Sequence, residues 1–206
     1  DMTVEDCVID EIVAELRDSA DYDKRRANIR EWNQTSQTLK RGIALTPVKF
    51  GISFTLTFLN QAGALVHVYN DGSIHLNHGG TEMGQGLFTK VAQVAARSFQ
   101  VDIDRIKITA THTGKVPNTS ATAASSGSDL NGMATADACA KIKKRLHDFA
   151  VERWQTSPDE VEFLPGRIRI GSDTVSFDEL ISQAYQARIP LSATGFYATP
   201  KINWDK

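Results

Sequence analysis

The sequence predicts an α+β fold, a mixed sheet of hairpins with packed helices. Strand-like runs occur in adjacent pairs, as at 64–69 and 73–77 on either side of Asn70-Asp71-Gly72, which is typical of a β-hairpin because these turn residues tolerate positive φ. Elsewhere, apolar residues recur at every third or fourth position, which indicates amphipathic helices. Because hairpins and helices are mixed along the chain, the sequence favours the α+β class.

The first part of the chain is expected to be a helical lead-in over 1–40. Residues 3–17 carry apolar side chains at helical spacing, and residues 21–33 continue the pattern among many charges. The helical spacing of apolar residues then ends. Residues 41–46 are expected to form a strand that begins a second domain over 41–206.

The second domain contains the hairpin and further elements in both classes. Ser176 and Glu179 have the spacing of a capping box, in which two side chains satisfy free backbone N–H groups at a helix start. The elements expected after the hairpin are a glycine-rich loop over 78–86, a helix from Leu87, a strand over 106–111, a small-residue loop over 114–128, a long helix over 130–150, a hairpin over 161–170, a helix from Ser176 and a strand over 191–197.

The charge balance and the cysteines exclude several classes of protein. Lys and Arg total 23 and Asp and Glu total 25, a net charge of −2 over 206 residues, so nucleic acid is not an expected partner. No run approaches the ~18 apolar residues of a membrane-spanning helix, so no membrane partner is expected either. Cys7 and Cys139 show neither zinc nor disulfide spacing, which favours a cytoplasmic location. The chain opens on Asp1, and we expect it to be a piece of a longer protein.

The glycine-rich loop is the first candidate site. It reads His78-Gly79-Gly80-Thr81-Glu82-Met83-Gly84-Gln85-Gly86 and leads straight into a helix. Glycines let the backbone approach a ligand, and N–H groups at a helix start suit an anion such as phosphate. The spacing is neither that of a dinucleotide-binding fingerprint nor that of a Walker A motif, and a tight strand-to-helix connection is the alternative. Glu82 is expected to anchor the loop, with a general-base role as the alternative.

Two further segments are candidates. Residues 118–128 carry hydroxyls and no bulky side chain before a helix, which suits a phosphate or a polar heterocycle, or else forms a polar loop and N-cap. Two such loops favour one shared polyanionic ligand. In residues 49–55, Phe54 is expected either to lie in the core of a short strand or to form a wall for a flat aromatic substrate. The five histidines make no metal-ligand spacing, so no protein-ligated metal is expected.

Together these residues resemble the xanthine dehydrogenase family of molybdenum hydroxylases. The resemblance covers residues 40–150 and, more faintly, the chain to Pro200, and it implies that residues 41–206 are part of the molybdenum-cofactor-binding domain. It rests on the segments 41–43, 49–55, 61–64, 71–73, 78–86, 116–118, 122–125 and 194–197.

The resemblance implies a molybdenum–molybdopterin cofactor. Members of the family hold the metal through the pterin dithiolene, so it needs no Cys or His ligand from the protein. The implied cofactor contacts are Gly84 and Gln85 in the glycine-rich loop and Ala123, Ala124 and Ser125 in the small-residue loop, with the backbone amide of Ala124 nearest the metal. The resemblance also implies a homo-oligomeric parent enzyme that carries 2Fe-2S clusters, FAD and NAD in other domains or subunits.

The resemblance also implies a purine substrate. Phe54 matches one of two phenylalanines that sandwich the purine, and Thr55 matches a polar substrate contact. In the family a glutamate acts as the general base while hypoxanthine and xanthine are oxidised to urate. The Gly-Glu-Pro-Pro-like motif that bears this glutamate is absent from the sequence. We therefore expect no catalytic residue in this segment and no activity from the segment alone.

Three alternatives remain at this point. The chain could be a segment of an aldehyde-oxidase-type molybdenum hydroxylase, although the pattern at 49–55 favours the xanthine type. It could instead be a non-enzymatic module that binds phosphate or nucleotides. A third possibility is a purely structural role as scaffold and dimer surface.

Overall fold

The computed structural model describes residues 7–48, 50–116 and 118–202. The chain forms two compact units, residues 1–50 and 51–206. The domain boundary predicted between residues 40 and 41 stays a prediction.

The first unit contains two helices, α1 (Ile9–Ser19) and α2 (Tyr22–Thr35), which confirms the two helices predicted for this region. Arg17 near the end of α1 pairs with Asp23 at the start of α2, with 2.9 Å between Nε and Oδ2. Neither helix buries a residue. The predicted helix also included residues 3–6, which lie outside the described residues.

The strand predicted over 41–46 is wrong, because these residues belong to no helix or strand. The side-chain amide of Asn33 takes the place of a partner strand for Arg41. The Arg41 N–H donates to Asn33 Oδ1 at 2.8 Å, and Asn33 Nδ2 donates to the Arg41 carbonyl at 2.9 Å. A strand needs a ladder of such bonds to a second strand, and one side chain supplies only a single rung.

Within residues 51–116 and 118–202, the second unit contains two small sheets and three α-helices, as the α+β prediction required. In chain order its elements are β1 (Gln61–Val68), β2 (Ile74–His78), α3 (Leu87–Phe99), β3 (Ile106–Ile108), α4 (Gly127–Trp154), β4 (Val161–Leu164), β5 (Arg167–Ile170), β6 (Asp173–Ser176), α5 (Phe177–Gln186) and β7 (Ser192–Ala198).

The larger sheet has the strand order β3-β2-β1-β7. β1 is antiparallel to both β2 and β7, whereas β2 and β3 are parallel. The predicted hairpin is confirmed, but β3 ends at Ile108, three residues earlier than predicted. After Ile108 the chain leaves the sheet, and the Thr109 hydroxyl donates to Asn77 Oδ1 at 2.8 Å.

Helices α3 and α4 cover one face of this sheet. Alternate strand residues such as Val66 and Leu76 are fully buried in one apolar core with Val91 of α3 and Ile142 of α4. The strand residues between them face the other way, which is the period of two expected for a sheet covered on one face. The candidate loops lie beyond the ends of these strands, outside the apolar core.

The smaller sheet has the order β4-β5-β6. The hairpin of β4 and β5 is confirmed, whereas β6 was not predicted from the sequence. The helix predicted from Ser176 is also confirmed, and the Ser176 hydroxyl oxygen accepts the Glu179 N–H at 3.1 Å, which is one half of the predicted capping box. Within residues 7–202, apart from 49 and 117, no helix combines the length and apolar character needed to span a membrane.

Candidate functional site

Three loops meet at one end of the larger sheet. They are the segment before β1, the glycine-rich loop after β2, and the small-residue loop before α4. Because β1 and β2 are antiparallel, with Ala64 opposite His78, the start of β1 lies beside the end of β2. The fold therefore brings together the three segments that the sequence analysis singled out separately.

The small-residue loop is attached to both of its neighbours. The Ser120 hydroxyl donates to the carbonyl oxygens of Leu59 and Gln61, the latter at 3.1 Å. On the other side, the Thr81 N–H donates to Thr122 Oγ1 at 2.8 Å. Residues 120–122 thus bridge the other two loops. Pro117, part of the sequence pattern here, lies outside the described residues.

The segment that carries Phe54 and Thr55 is irregular rather than a strand. Residues 50–56 belong to no helix or strand, so the short strand predicted over 49–55 is wrong, and Lys49 lies outside the described residues. Phe54 is half-buried and Thr55 is exposed. The core role considered for Phe54 is therefore also wrong. The backbone departs from a strand because Ser53 has φ +101°, a conformation that L residues rarely adopt.

A hydrogen bond joins this segment to the small-residue loop. The Ser53 N–H donates to the Ala124 carbonyl at 3.1 Å. Ala124 and Ser125 themselves have φ +53° and +54°. A left-handed conformation costs an L residue about 1–2 kcal/mol, so three strained residues cluster where the two loops touch. Such strain is concentrated at functional sites in proteins.

The N-terminus of α4 is open. Its N-cap residue, Ser126, makes no side-chain cap and instead donates its hydroxyl to the Ala123 carbonyl at 2.9 Å. The backbone N–H groups of Ala124 and Ser125 have no hydrogen-bond partner within residues 7–48, 50–116 and 118–202. Both residues lie in the loop directly before the N-cap of this 28-residue helix, and unpaired N–H groups beside a helix N-terminus favour the binding of an anion.

The N-terminus of α3, in contrast, is closed by Glu82. Its carboxylate accepts the N–H groups of Gly84, Gly86 and Phe88 at 2.9–3.0 Å. These bonds hold the pKa of Glu82 below its ordinary value, so the carboxylate is charged at neutral pH. The expected anchoring role of Glu82 is confirmed.

The closed α3 terminus changes how the glycine-rich loop can act. An anion bound by the Gly84 N–H would have to displace the Glu82 carboxylate. The exposed Gln85 side chain turns back onto the loop, donating to the Thr81 carbonyl at 2.9 Å and accepting the Met83 N–H at 2.6 Å. Gly84 and Gln85 stay predictions as cofactor contacts, and the open anion site is the one before α4.

Two buried polar residues support the site in ways that were not predicted from the sequence. Asn60 is 2% exposed, and its side-chain amide forms hydrogen bonds with both the N–H and the carbonyl of Phe54. His78 is also buried, its Nδ1 accepts the Gly80 N–H at 3.1 Å, and burial lowers its pKa to about 4. His78 is therefore neutral at physiological pH. Single Asn and His residues carry no spacing signal, so only the fold reveals their roles.

No group of three or more His, Cys, Asp or Glu side chains is arranged to hold a metal within the described parts of the chain. His67 and His75 lie directly opposite each other on β1 and β2. His75 Nε2 lies 3.1 Å from Thr109 Oγ1.

Residues 15–206 match the family described as the molybdopterin cofactor-binding domain. The chain belongs to this family. Among curated relatives, it is 46% identical over 200 residues to a xanthine dehydrogenase of Blastobotrys adeninivorans, a match that covers 97% of this chain and 13% of the relative. It is also 46% identical over 186 residues to a xanthine dehydrogenase/oxidase of Mus musculus, covering 90% of this chain and 12% of the relative. The resemblance to the xanthine dehydrogenase family is thereby confirmed.

Solved structures show the same fold for this molybdopterin-binding chain. A CO dehydrogenase from Oligotropha carboxidovorans matches with a TM-score of 0.63 and 25% identity, over 69% of this chain and 19% of that one. Quinoline 2-oxidoreductase from Pseudomonas putida 86 matches with a TM-score of 0.66 and 16% identity, over 93% of this chain and 26% of that one. The chain spans only 12–14% of the length of the curated relatives reported for it.

Proposed function

We propose that this chain is the molybdopterin-binding segment of an enzyme that oxidises hypoxanthine and xanthine to urate. The observation that carries the proposal is the Ser53–Ala124 hydrogen bond, which joins the proposed purine segment to the proposed cofactor loop. The xanthine dehydrogenases among the relatives support the same activity.

The residues before α4 fit a molybdopterin. The unpaired N–H groups of Ala124 and Ser125 suit an anionic group, and the methyl side chains of Ala123 and Ala124 leave room for a ligand to approach the backbone. We propose that Ala123, Ala124 and Ser125 hold the cofactor, with the Ala124 amide nearest the metal. Gly84 and Gln85 are proposed to contact it from the glycine-rich loop.

The residues of this chain bind and orient the substrate rather than transfer its protons. When bound, the molybdenum cofactor supplies a centre that can oxidise an electron-poor carbon of the purine. Phe54 provides an aromatic face for a planar heterocycle, and the exposed Thr55 hydroxyl can donate or accept a hydrogen bond. Glu82 is not the base, because its lowered pKa and its bonds to backbone N–H groups commit it to the loop.

The remaining partners belong to the same proposal. We propose that 2Fe-2S, FAD and NAD sites lie in other domains or subunits of the parent enzyme, together with the catalytic glutamate. The parent is proposed to be a homo-oligomer that binds neither nucleic acid nor membranes. A cytoplasmic location is proposed because Cys7 and Cys139 are both unpaired.

Replacing Phe54 tests the proposed substrate role. In the parent enzyme that carries this segment, Phe54→Ala should lower kcat/KM for xanthine by about 10²-fold, because misplacement of a bound substrate has effects of that size. The matched control is Phe58→Ala, which removes a 66% exposed ring from the same segment. Steady-state kinetics, with xanthine and with aromatic aldehydes as substrates, gives kcat/KM for the wild type, the variant and the control. A wild-type enzyme that prefers aldehydes would contradict the xanthine-type proposal.

The isolated chain is expected to be inactive. The purified 206-residue chain should show no xanthine oxidation above the buffer rate, because the sequence lacks the motif that bears the glutamate base. Urate formation, followed by absorbance, is the measurement. Turnover by this chain alone would refute the assignment of the base to another segment. Micromolar binding of simple nucleotides without pterin would instead favour a nucleotide-binding module.

A further inference from the structure

We propose that Asn60 is a positioning residue for the substrate. Its side-chain amide fixes the backbone of Phe54 and thereby sets the plane of the Phe54 ring and the place of the Thr55 hydroxyl. The inference rests on the proposed function, since it assumes that Phe54 and Thr55 contact the purine.

The contact between Asn60 and Phe54 is two-sided. Asn60 Oδ1 accepts the Phe54 N–H at 2.8 Å, and Asn60 Nδ2 donates to the Phe54 carbonyl at 2.9 Å. The same Nδ2 also donates to the Thr57 carbonyl at 3.2 Å. A side-chain amide carries its acceptor and its donor on neighbouring atoms, so it can pair with the carbonyl and the N–H of a single residue. Asn60 therefore stands in for the partner strand that this irregular segment lacks.

Asn60 is itself fixed to the sheet. Its backbone N–H donates to the Thr57 carbonyl at 3.0 Å, and its carbonyl accepts the Thr199 N–H at 3.0 Å. The next residue, Gln61, begins β1 and lies opposite Ala198 of β7. Since Asn60 is 2% exposed, water does not compete for its amide. One side chain, that of Asn60, therefore links the backbone of Phe54 to the end of the sheet.

The second support of the segment comes from the cofactor side. The Ser53 N–H, one residue before Phe54, donates to the Ala124 carbonyl at 3.1 Å. Phe54 is consequently held between the sheet, through Asn60, and the proposed cofactor loop, through Ser53. Loss of the Asn60 side chain removes the two hydrogen bonds to the Phe54 backbone, while the Ser53–Ala124 bond and the anchors of the cofactor loop at Ser120 and Thr122 remain. The Phe54 ring is then free to tilt.

The chain offers a matched control. Asn33 brackets Arg41 in the same way as Asn60 brackets Phe54, with bonds of 2.8 and 2.9 Å to the N–H and the carbonyl. Asn33→Ala removes the same pair of hydrogen bonds, but from the other compact unit. Asn60→Gln is the second variant, because it keeps the amide and moves it by one methylene, in case Asn60→Ala fails to fold.

The first measurement is hydrogen exchange on the 206-residue chain. The Phe54 amide should exchange about tenfold faster or more in Asn60→Ala than in the wild type, because its opening no longer breaks the two bonds to Asn60. Asn33→Ala should leave the Phe54 rate unchanged. An unchanged Phe54 rate in Asn60→Ala would overturn the inference whatever the activity of the parent enzyme.

The second measurement is made on the parent enzyme. Asn60→Ala and Asn60→Gln should raise KM for xanthine by about tenfold or more, with kcat within about twofold and an unchanged molybdenum content, because a ring that can tilt binds the purine less tightly in the ground state and in the transition state alike. A merely structural role would lower molybdenum content and kcat together and leave KM unchanged, and that result would overturn the inference. Absence of xanthine turnover in the wild-type parent would contradict the proposed function itself, and with it the purine role of Asn60.

Discussion

Gly195→Ala is expected to cost at least about 3 kcal/mol of the free energy of unfolding, at the upper end of the effect of overpacking a core. A β-carbon on Gly195 would overlap the Ala134 carbonyl oxygen and lie 2.6 Å from the Ala138 backbone nitrogen. Both atoms belong to the backbone of α4, which cannot rotate away as a side chain can. The new methyl group must therefore push β7 and α4 apart.

Urea unfolding of the 206-residue chain, followed by circular dichroism, measures this loss. The matched control is Gly132→Ala on α4, where a β-carbon would lie 3.6 Å from Val94 Cγ2, an ordinary contact. Replacement of a helical glycine at a site with room is expected to stabilise the unit by about 0.5–1 kcal/mol. Similar unfolding midpoints for the two variants would show that α4 and β7 are not packed as described.

Glu82→Ala is expected to release the glycine-rich loop. The variant removes the carboxylate that accepts the N–H groups of Gly84, Gly86 and Phe88, so the midpoint of thermal unfolding should fall by several degrees. Glu82→Gln should lose less, because one amide oxygen can still accept. In the parent enzyme, Glu82→Ala should also lower the molybdenum content, because the loop that carries the proposed cofactor contacts Gly84 and Gln85 is no longer held in one conformation.

The effect of Glu82 should depend on pH in a defined direction. The backbone bonds lower its pKa in the folded chain from the ordinary value of 4.5. Its stabilisation is therefore fully present above pH 4.5 and is lost as the pH falls through the lowered folded-state pKa. The difference in unfolding midpoint between the wild type and Glu82→Ala should shrink over that acid range. As a control, Glu15→Ala removes an exposed acid from α1. A difference independent of pH would contradict the capping role.

Most helices and hairpins of this chain could be predicted because their signals are local. The turn at Asn70-Asp71-Gly72 and the cap at Ser176 are each contained within a few residues, and the structure has both. Two of the failures, at residues 41–46 and 49–55, occur where the side-chain amide of a residue several positions away hydrogen-bonds the backbone in place of a strand. Asn33 lies eight residues from Arg41, and Asn60 lies six residues from Phe54, so no period in the sequence marks either contact.

The three candidate loops could also be found from the sequence. Which of the two helix starts has free N–H groups could not be predicted. Both helix starts contain small residues and backbone N–H groups in an accessible loop. Whether those N–H groups are free depends on where the Glu82 side chain turns and on the absence of a side-chain cap at Ser126. These are properties of side-chain conformation, which is set by tertiary packing rather than by residue type.

The position of β7 has a consequence for synthesis of the chain. Both partners of β1 follow it in the chain: β2 comes after a short turn, whereas β7 is translated after every other helix and strand described for the unit. During translation, one edge of β1 therefore leaves the ribosome with its N–H and carbonyl groups unpaired. An open strand edge is a template for aggregation and a target for chaperones. The nascent chain must protect that edge until β7 emerges.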